Sequence, residues 1–372
     1  MQTVLFTGPT GTTALAATAT AAAAASSGSR VLLSSVGPSH PVAALVGTSP
    51  PADPQPLAPS LDLWCLDPSA EIVTVWKSLW TTGTPPVAGD ELPLVPGCDL
   101  FLAIARLQQL QPAYDLVCVD AGPPEALLRA LSFPDAFRWL VRLVIGLDRG
   151  PGRSSASLSR AIIPTGLLPI PLDLVSRLQD ARVMVEHLRD EVTTPTRTQV
   201  RYVLAPDRGS LADARLNLPA LQLFGLAVAS LIAGPLLPAV PGLEALVAEQ
   251  AAMLDETSTI FHGHPVHRLA ATATPSDVEA LALLGRQIYN GESPLPGPPL
   301  ASPVDLAGPP APHVALDLPG LPREALDLAM SGDELIVRVG PYSRHLLLPE
   351  GLRGITDIKA ARQGEKLIIR PR

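Results

Sequence analysis

The residues best placed to do chemistry lie in a glycine-containing turn near the start of the chain. Two residues separate Gly8 from Gly11, and Thr12 and Thr13 follow directly. A turn of this kind ahead of a helix presents backbone N–H groups and the positive end of the helix dipole, which together favour anions such as phosphate. The same glycines are also typical of a tight strand-to-helix turn that needs them for conformation alone. Both interpretations, a phosphate cradle and a structural turn, follow from the spacing.

Positive charge is scarce where a phosphate cradle would need it. The chain has three lysines, Lys77, Lys359 and Lys366, so none precedes residue 77. The formal net charge of −8 leaves no broad basic surface for a phosphate backbone, which argues against a nucleic-acid partner. A phosphate at the turn would depend on backbone amides, hydroxyl groups or an arginine.

A second candidate is Asp120, which ends the apolar run Tyr114–Asp120 (YDLVCVD). The run predicts a buried strand, and the carboxyl end of a parallel strand is where ligands bind in open α/β sheets. There the carboxylate could face a ligand. Aspartate is also a preferred N-terminal helix cap, and a helix is predicted to begin near Pro123. Both roles stay open for this residue.

Histidine and cysteine do not form a convincing metal site. The segment 262–267 contains an H-x-H-x-x-H cluster. On a strand, His262 and His264 would share one face while His267 would point away, so we interpret the cluster as incidental. The cysteine count is odd and the spacing wide, which is typical of small apolar residues in a reduced interior. These cysteines are Cys65, Cys98 and Cys118.

The elements that position the turn form a strand–helix–strand unit. Gln2–Thr7 is a β-branched and apolar run that predicts a buried strand, and Arg30–Ser35 predicts a second. An alanine- and threonine-rich helix between them, to about Ser27, makes a βαβ unit and therefore a parallel sheet. Strands and helices keep alternating to about residue 290. Further strands are predicted at 61–66, 114–120, 197–205, 227–233 and 265–269, and helices at 69–80, 97–110, 134–147, 172–191, 208–224, 242–256 and 275–289.

Composition divides the chain into two domains. Of 372 residues, 47% are hydrophobic and 17% charged, which is typical of a globular chain rather than a disordered one. Ten prolines fall between Ser293 and Pro322, and so dense a run predicts a semi-rigid linker. We therefore expect an α/β domain at 1–290, a linker at 291–312 and a small all-β domain at 313–372, with strands at HVALDLP, ELIVRVG, RHLLLP and KLIIRP.

The sequence predicts no transmembrane segment. The longest uncharged stretch, Leu216 to Leu243, contains four prolines, and a membrane helix seldom tolerates so many breaks. The N-terminus lacks the basic region and apolar core of a secretory signal. We expect a soluble cytoplasmic protein.

The order of these motifs resembles the family of the arsenite-pump ATPase ArsA and the tail-anchored-protein targeting ATPases. TGPTGTTA at 7–14 stands where the family has KGGVGKTT, and residues 114–140, YDLVCVDAGPPEALLRALSFPDAFRWL, resemble its second switch. The resemblance spans most of residues 1–290 and implies a P-loop NTPase fold with a doubly wound, mostly parallel sheet. The last 60 residues resemble the small heat-shock (α-crystallin-like) domain appended to some members.

Compared position by position, the resemblance implies a degenerate nucleotide site that lacks several of the family's functional residues. Thr7 and Thr12 stand at the family's two lysines, and Gly37 stands at its water-activating aspartate. Thr13 and Asp120 match its magnesium-binding residues. In addition, Gly234 stands at the asparagine that reads adenine. The zinc-binding C-x-x-C of the family's dimer seam is absent from the sequence.

These substitutions favour a protein that does not hydrolyse ATP, since phosphoryl transfer depends on positioning and charge neutralisation. The resulting hypothesis is a dimeric scaffold or chaperone-like module that binds an unidentified protein client. It would need no cofactor, and Gly8, Gly11, Thr12, Thr13 and Asp120 would be a vestigial nucleotide site. The alternative is a working ATPase that binds ATP and magnesium and takes its missing cation from a partner chain, either a second copy or a related ATPase. A third idea, metalloid carriage, has no cysteine triad behind it.

Overall fold

A computed structural model of the chain describes residues 2–36, 39–79, 88–92, 95–110, 113–145, 172–273, 275, 277–355 and 358–372. Gly37, which stands at the family's water-activating aspartate, lies outside the described residues. The bounds of every strand and helix named below are those of the described part.

Residues 2–270 form an eight-stranded sheet with helices on both faces. Its strands are β1 (Gln2–Thr7), β2 (Val31–Val36), β3 (Gln55–Ala58), β4 (Leu61–Leu66), β5 (Leu116–Asp120), β6 (Thr198–Leu204), β7 (Val228–Leu236) and β8 (Val266–Ala270). Their order across the sheet is β3-β4-β2-β5-β1-β6-β7-β8. All neighbours are parallel except β3, which pairs antiparallel with β4. This sheet confirms the predicted doubly wound, mostly parallel architecture, and we call it with its helices the α/β body.

The helices of the body follow the strands in alternation. They are α1 (Thr10–Ser26), α2 (Pro41–Leu45), α3 (Pro68–Leu79), α4 (Cys98–Gln109), α5 (Pro124–Ile145), α6 (Leu172–Val192), α7 (Arg208–Leu223), α8 (Glu244–Ile260) and α9 (Val278–Ile288). Within the described residues, no helix is both long and apolar enough to cross a membrane.

Helix α1 lies at the centre of one sheet face because its side chains are small. Alanine and threonine residues from Thr13 to Ala25 are almost all buried on it. Helix α9 packs against it so closely that a Cβ atom at Gly285 would lie 2.1 Å from the carbonyl oxygen of Ala19. Small residues on both helices therefore set the distance between α1 and α9.

The C-terminal residues form two antiparallel sheets, which confirms the predicted all-β domain. We call this unit the C-terminal β-domain. Its strands are β9 (Val304–Ala307), β10 (His313–Asp317), β11 (Leu326–Ser331), β12 (Glu334–Val339), β13 (Tyr342–Leu347), β14 (Ile358–Gln363) and β15 (Lys366–Pro371). One sheet has the order β14-β15-β10-β9 and the other β11-β12-β13. Strand β9 lies within the proline-rich segment predicted as a linker and pairs with β10.

Helix α5 confirms the helix predicted to begin near Pro123, because it begins at Pro124. The helical stretch predicted separately at 134–147 belongs to this same helix, which continues to Ile145. In the structure Pro134 lies inside the helix. The turns before it are anchored by Leu127, Leu128 and Leu131, which are buried in the core.

Candidate functional site

A cavity of about 440 Å³ lies at the carboxyl ends of β2 and β5, beside the N-terminus of α1. We call it the edge cavity. Ligands of open α/β sheets bind in crevices at this edge, so it is the candidate site. Its polar and charged lining residues are Thr10, Ser39, Asp99, Asp120 and Arg129.

The connection between β1 and α1 is only two residues long, Gly8 and Pro9. The Gly8 amide donates to the Gly122 carbonyl over 3.2 Å. A Cβ atom at position 8 would lie 2.2 Å from the carbonyl oxygen of Val203, and the φ angle of Gly8 is +155°. Glycine is therefore needed at position 8 to let β1 leave the sheet beside β6.

The other residues of the predicted turn belong to the first turn of α1. Gly11 is exposed, and a Cβ atom there would meet nothing within 4 Å. Thr12 is half-buried. Thr13 is fully buried, its hydroxyl donates to the Pro9 carbonyl over 2.5 Å, and its amide donates to the same carbonyl over 2.9 Å. In this form of the protein Thr13 serves its own helix and its hydroxyl does not face the edge cavity.

Asp120 ends β5 with its side chain at the edge cavity and only 2% of the residue exposed. One carboxylate oxygen accepts from the Gly122 amide over 3.2 Å, so Asp120 closes a turn ahead of α5. Burial raises its pKa to about 7, against the lowering effect of the Gly122 bond. The neighbouring residue across the sheet is Ser35, whose buried hydroxyl has no hydrogen-bond partner within the described residues. Near neutral pH, Asp120 can therefore hold or release a proton.

Arg129 is a cavity residue that the sequence did not single out. It lies on the second turn of α5, is exposed and lines the edge cavity with Asp99 and Asp120. Two carboxyl groups and one guanidinium group thus face one space. Arg129 lies nine residues after Asp120, within the stretch resembling the second switch. This position, on the helix that follows Asp120, was the sequence signal that could have identified Arg129 as a site residue.

Gly234, at the position of the adenine-reading asparagine, lies within β7 where a side chain has no space. A Cβ atom there would lie 2.4 Å from the carbonyl oxygen of Leu269 on β8. The glycine lets β7 and β8 approach closely. No asparagine could occupy this position without moving the neighbouring backbone.

The histidine cluster does not converge. His262 faces Glu365 with 3.6 Å between nitrogen and oxygen, while His267 makes an edge contact with the Tyr289 ring at 4.8 Å between centroids. Within the described ranges, no group of three or more histidine, cysteine, aspartate or glutamate residues could hold a metal ion. Burial raises the pKa of the thiols Cys65, Cys98 and Cys118 to about 11, 12 and 12.

A buried cation lies under α1, on the same sheet face. Arg201 of β6 is 6% exposed and donates to the Tyr289 hydroxyl and, over 2.7 Å, to the Pro294 carbonyl. Its guanidinium lies over the Tyr289 ring at 4.6 Å, and the Tyr289 hydroxyl also bonds to Thr20 over 2.7 Å. This network ties the end of α9 to the sheet. The pattern of side chains along β6 could not distinguish a buried Arg201 from an arginine exposed to solvent.

Comparison with known proteins assigns both parts of the chain. The model of the anion-transporting ATPase family matches residues 1–288, and that of the HSP20-like domain found in ArsA matches residues 312–370. An uncharacterized protein of Streptomyces coelicolor is 29% identical over 395 aligned positions, covering 100% of this chain and 97% of that protein. A protein of Prosthecochloris vibrioformis named "Putative arsenical pump-driving ATPase" is 25% identical, and the alignment covers 95% of this chain and 92% of that protein. A protein of Aquifex aeolicus named "Putative arsenical pump-driving ATPase 1" is 22% identical, with 99% of each chain covered.

Proposed function

This chain belongs to the anion-transporting ATPase family and carries the HSP20-like domain found in ArsA, and we propose that it is a member that does not hydrolyse ATP appreciably. It acts instead as a scaffold or chaperone-like module that binds a partner protein. The observation that carries the proposal is the closed two-residue connection between β1 and α1.

A phosphate loop works by offering several backbone N–H groups and a lysine to one phosphate chain. Here the Gly8 amide is bonded to Gly122, and the Thr13 amide and hydroxyl are both bonded to Pro9. Helix α1 already begins at Thr10, so Gly11, Thr12 and Thr13 are helical. This geometry supports loss of phosphate binding.

Charge supports the same conclusion. Thr7 and Thr12 occupy the positions of the two family lysines, and Thr7 is buried with its hydroxyl bonded to the Gly122 carbonyl over 2.9 Å. Among the described residues that line the edge cavity, the carboxyl groups of Asp99 and Asp120 stand against the guanidinium of Arg129. A triphosphate would therefore meet net negative charge unless Asp120 were protonated.

Magnesium and ATP fit this form of the site poorly. Asp120 faces the edge cavity and could ligate a hard cation through a carboxylate oxygen. Thr13 would first have to break its bond to Pro9. The residues that would hold magnesium are thus Thr13 and Asp120, and only Asp120 is placed to do so.

The second candidate function is an active ATPase that completes its site with a cation, and Arg129 is the observation that favours it. An arginine supplied to a transferring phosphoryl group can replace missing positive charge. Arg129 would supply it within the same chain, whereas the alternative drawn from the sequence takes it from a partner chain. In that case the first turn of α1 must unwind when ATP binds.

Metalloid carriage has less support. Arsenite reacts with thiolates, and reactive cysteines are those with lowered pKa and solvent access. The three thiols have raised pKa values, and two of them, Cys65 and Cys118, are buried.

As part of the proposal, the protein works in the cytoplasm as a homodimer or as a heterodimer with a related ATPase chain. A heterodimer would let a lysine-bearing partner hydrolyse ATP while this chain provides structure.

The test is calorimetric titration of MgATP into the full chain and two lysine variants. Thr12→Lys places a cation at the family position, and Ser27→Lys places the same charge at the exposed far end of α1 as a control. We expect no binding to wild type or to S27K at millimolar ATP. Binding to T12K alone would show a loop of intact shape that lacks charge, and no binding to any variant would show a closed one. Micromolar binding with turnover by wild type would refute the proposal.

A further inference from the structure

The C-terminal β-domain is joined to the α/β body by more than its linker. A single hydrophobic cluster includes Phe224 and Phe261 of the body together with Val314 and Val337 of the β-domain. At Gly320, a Cβ atom would lie 2.7 Å from the Phe261 ring. Side chains from the two domains therefore pack together in one hydrophobic core.

Helix α7 is the platform for this contact. Arg215 donates to the Gly320 carbonyl over 3.2 Å, and Gln222 donates to the Asp317 carboxylate over 3.4 Å. Arg344, on β13, donates to the carbonyl of Leu223, the last residue of α7. The last carbonyls of a helix lack partners within it and carry partial negative charge. Arg344 therefore caps α7 from another domain.

Arg344 also lies within a charged cluster built from both domains. Its surroundings include Asp135 and Arg138 of α5 and Arg189 and Asp190 of α6. Asp135 pairs with Arg189 at 3.3 Å. Burial lowers the pKa of Arg344 to about 10, which the nearby Asp135 partly opposes.

The cluster extends across the seam at a second point. Arg138 of the body faces Glu334 of β12 at 3.8 Å, and Glu334 faces His345 of β13 at 3.3 Å. Most of these charges are only partly exposed to solvent, so removal of one partner leaves the other less well compensated. The two domains therefore depend on each other for their charge balance.

We propose that the C-terminal β-domain is a fixed part of this protein, docked in cis through Arg344, and that its docked face is not offered to partner proteins. The inference does not depend on whether ATP binds, because every contact that carries it lies outside the edge cavity.

The test nicks the intact protein and asks whether its two parts stay together. A recognition site for a specific protease is inserted between Gly297 and Pro299, which are exposed and precede β9. After cleavage, co-elution in size-exclusion chromatography at falling concentration gives an apparent dissociation constant. Arg344→Met removes the cap, and Arg338→Met is the matched control because Arg338 lies on the neighbouring strand β12 with 58% of its side chain exposed.

We expect the nicked wild type and R338M to remain associated at micromolar concentration. R344M should bind about ten- to hundredfold more weakly, as expected for loss of a charged hydrogen bond in an enclosed site. Separation of the nicked wild type at micromolar concentration would overturn the cis docking. Equal affinity of R344M and wild type would overturn the role of Arg344.

If R344M fails to fold, amide hydrogen exchange on the wild type decides the question. The last turn of α7 and strands β12 and β13 should then exchange together and slowly. Exchange of the β-domain at least tenfold faster than that of α7 would contradict a shared structural unit.

Discussion

Replacing Gly11 with alanine should stabilise the protein, although the same change would damage a working phosphate loop. Gly11 lies in the first turn of α1, and the new methyl group would meet nothing within 4 Å. Alanine costs less conformational entropy than glycine in a helix, so the expected gain in unfolding free energy is about 0.5–1 kcal/mol.

The matched variant is Gly8→Ala, three residues earlier, in the connection between β1 and α1. Its methyl group would lie 2.2 Å from the Val203 carbonyl oxygen, at a φ angle of +155°. Backbone strain of about 1–3 kcal/mol adds to overpacking of about 1–3 kcal/mol. We therefore expect a loss of about 2–6 kcal/mol.

Urea unfolding followed by circular dichroism gives both changes as shifts in midpoint. The predicted result is opposite signs: a higher midpoint for G11A and a lower one for G8A. A G11A variant destabilised by about 1 kcal/mol or more would refute the reasoning, because Gly11 would then be held in a conformation that alanine cannot adopt. A tolerated G8A would show that β1 and β6 can separate at the turn.

Three further changes test other parts of the account. Gly285→Ala should lower the free energy of unfolding in urea by about 1–3 kcal/mol, because the new methyl group would lie 2.1 Å from the Ala19 carbonyl oxygen. An unchanged midpoint would show that α1 and α9 can move apart. Tyr289→Phe should cost about 1–3 kcal/mol by the same assay because Arg201 and Thr20 both lose a buried partner; a loss below about 0.5 kcal/mol would contradict the network. Asp120 has a pKa raised from 3.8 to about 7, so between these pH values the folded state keeps a proton that the unfolded chain has lost. The contribution of Asp120 to the free energy of unfolding therefore falls as the pH rises from 3.8 to about 7. Asp120→Asn cannot ionise and should raise Tm relative to wild type more at pH 8 than at pH 4; an equal difference at both pH values would contradict the shift.

The sequence predicted the central sheet well because its strands are apolar runs bounded by turn residues. β1 and β4 have their predicted bounds, and the glycine-containing turn followed by an alanine-rich helix indicated the first βαβ unit. Short elements were missed. Strand β3, with four residues, and helix α2, with five, carry no periodic pattern long enough to detect.

The candidate site was harder to predict because it depends on where α1 begins. The resemblance to KGGVGKTT placed a vestigial nucleotide loop at residues 7–14, whereas helix α1 starts at Thr10 and Thr13 bonds back to Pro9. The spacing of the glycines and threonines cannot distinguish a phosphate loop from a closed turn, because the same residue types fit both. Arg129 was missed for a related reason: its approach to Asp120 depends on the path of α5 past the carboxyl end of β5.

The most direct test of the central claim is a ³¹P NMR titration of MgATP with the full-length protein at neutral pH, continued for a day to detect hydrolysis. The closed turn predicts phosphate resonances without shift or broadening at equimolar protein, and no release of inorganic phosphate. Broadening of the β and γ resonances at micromolar protein, followed by steady phosphate release that Asp120→Asn abolishes, would contradict it.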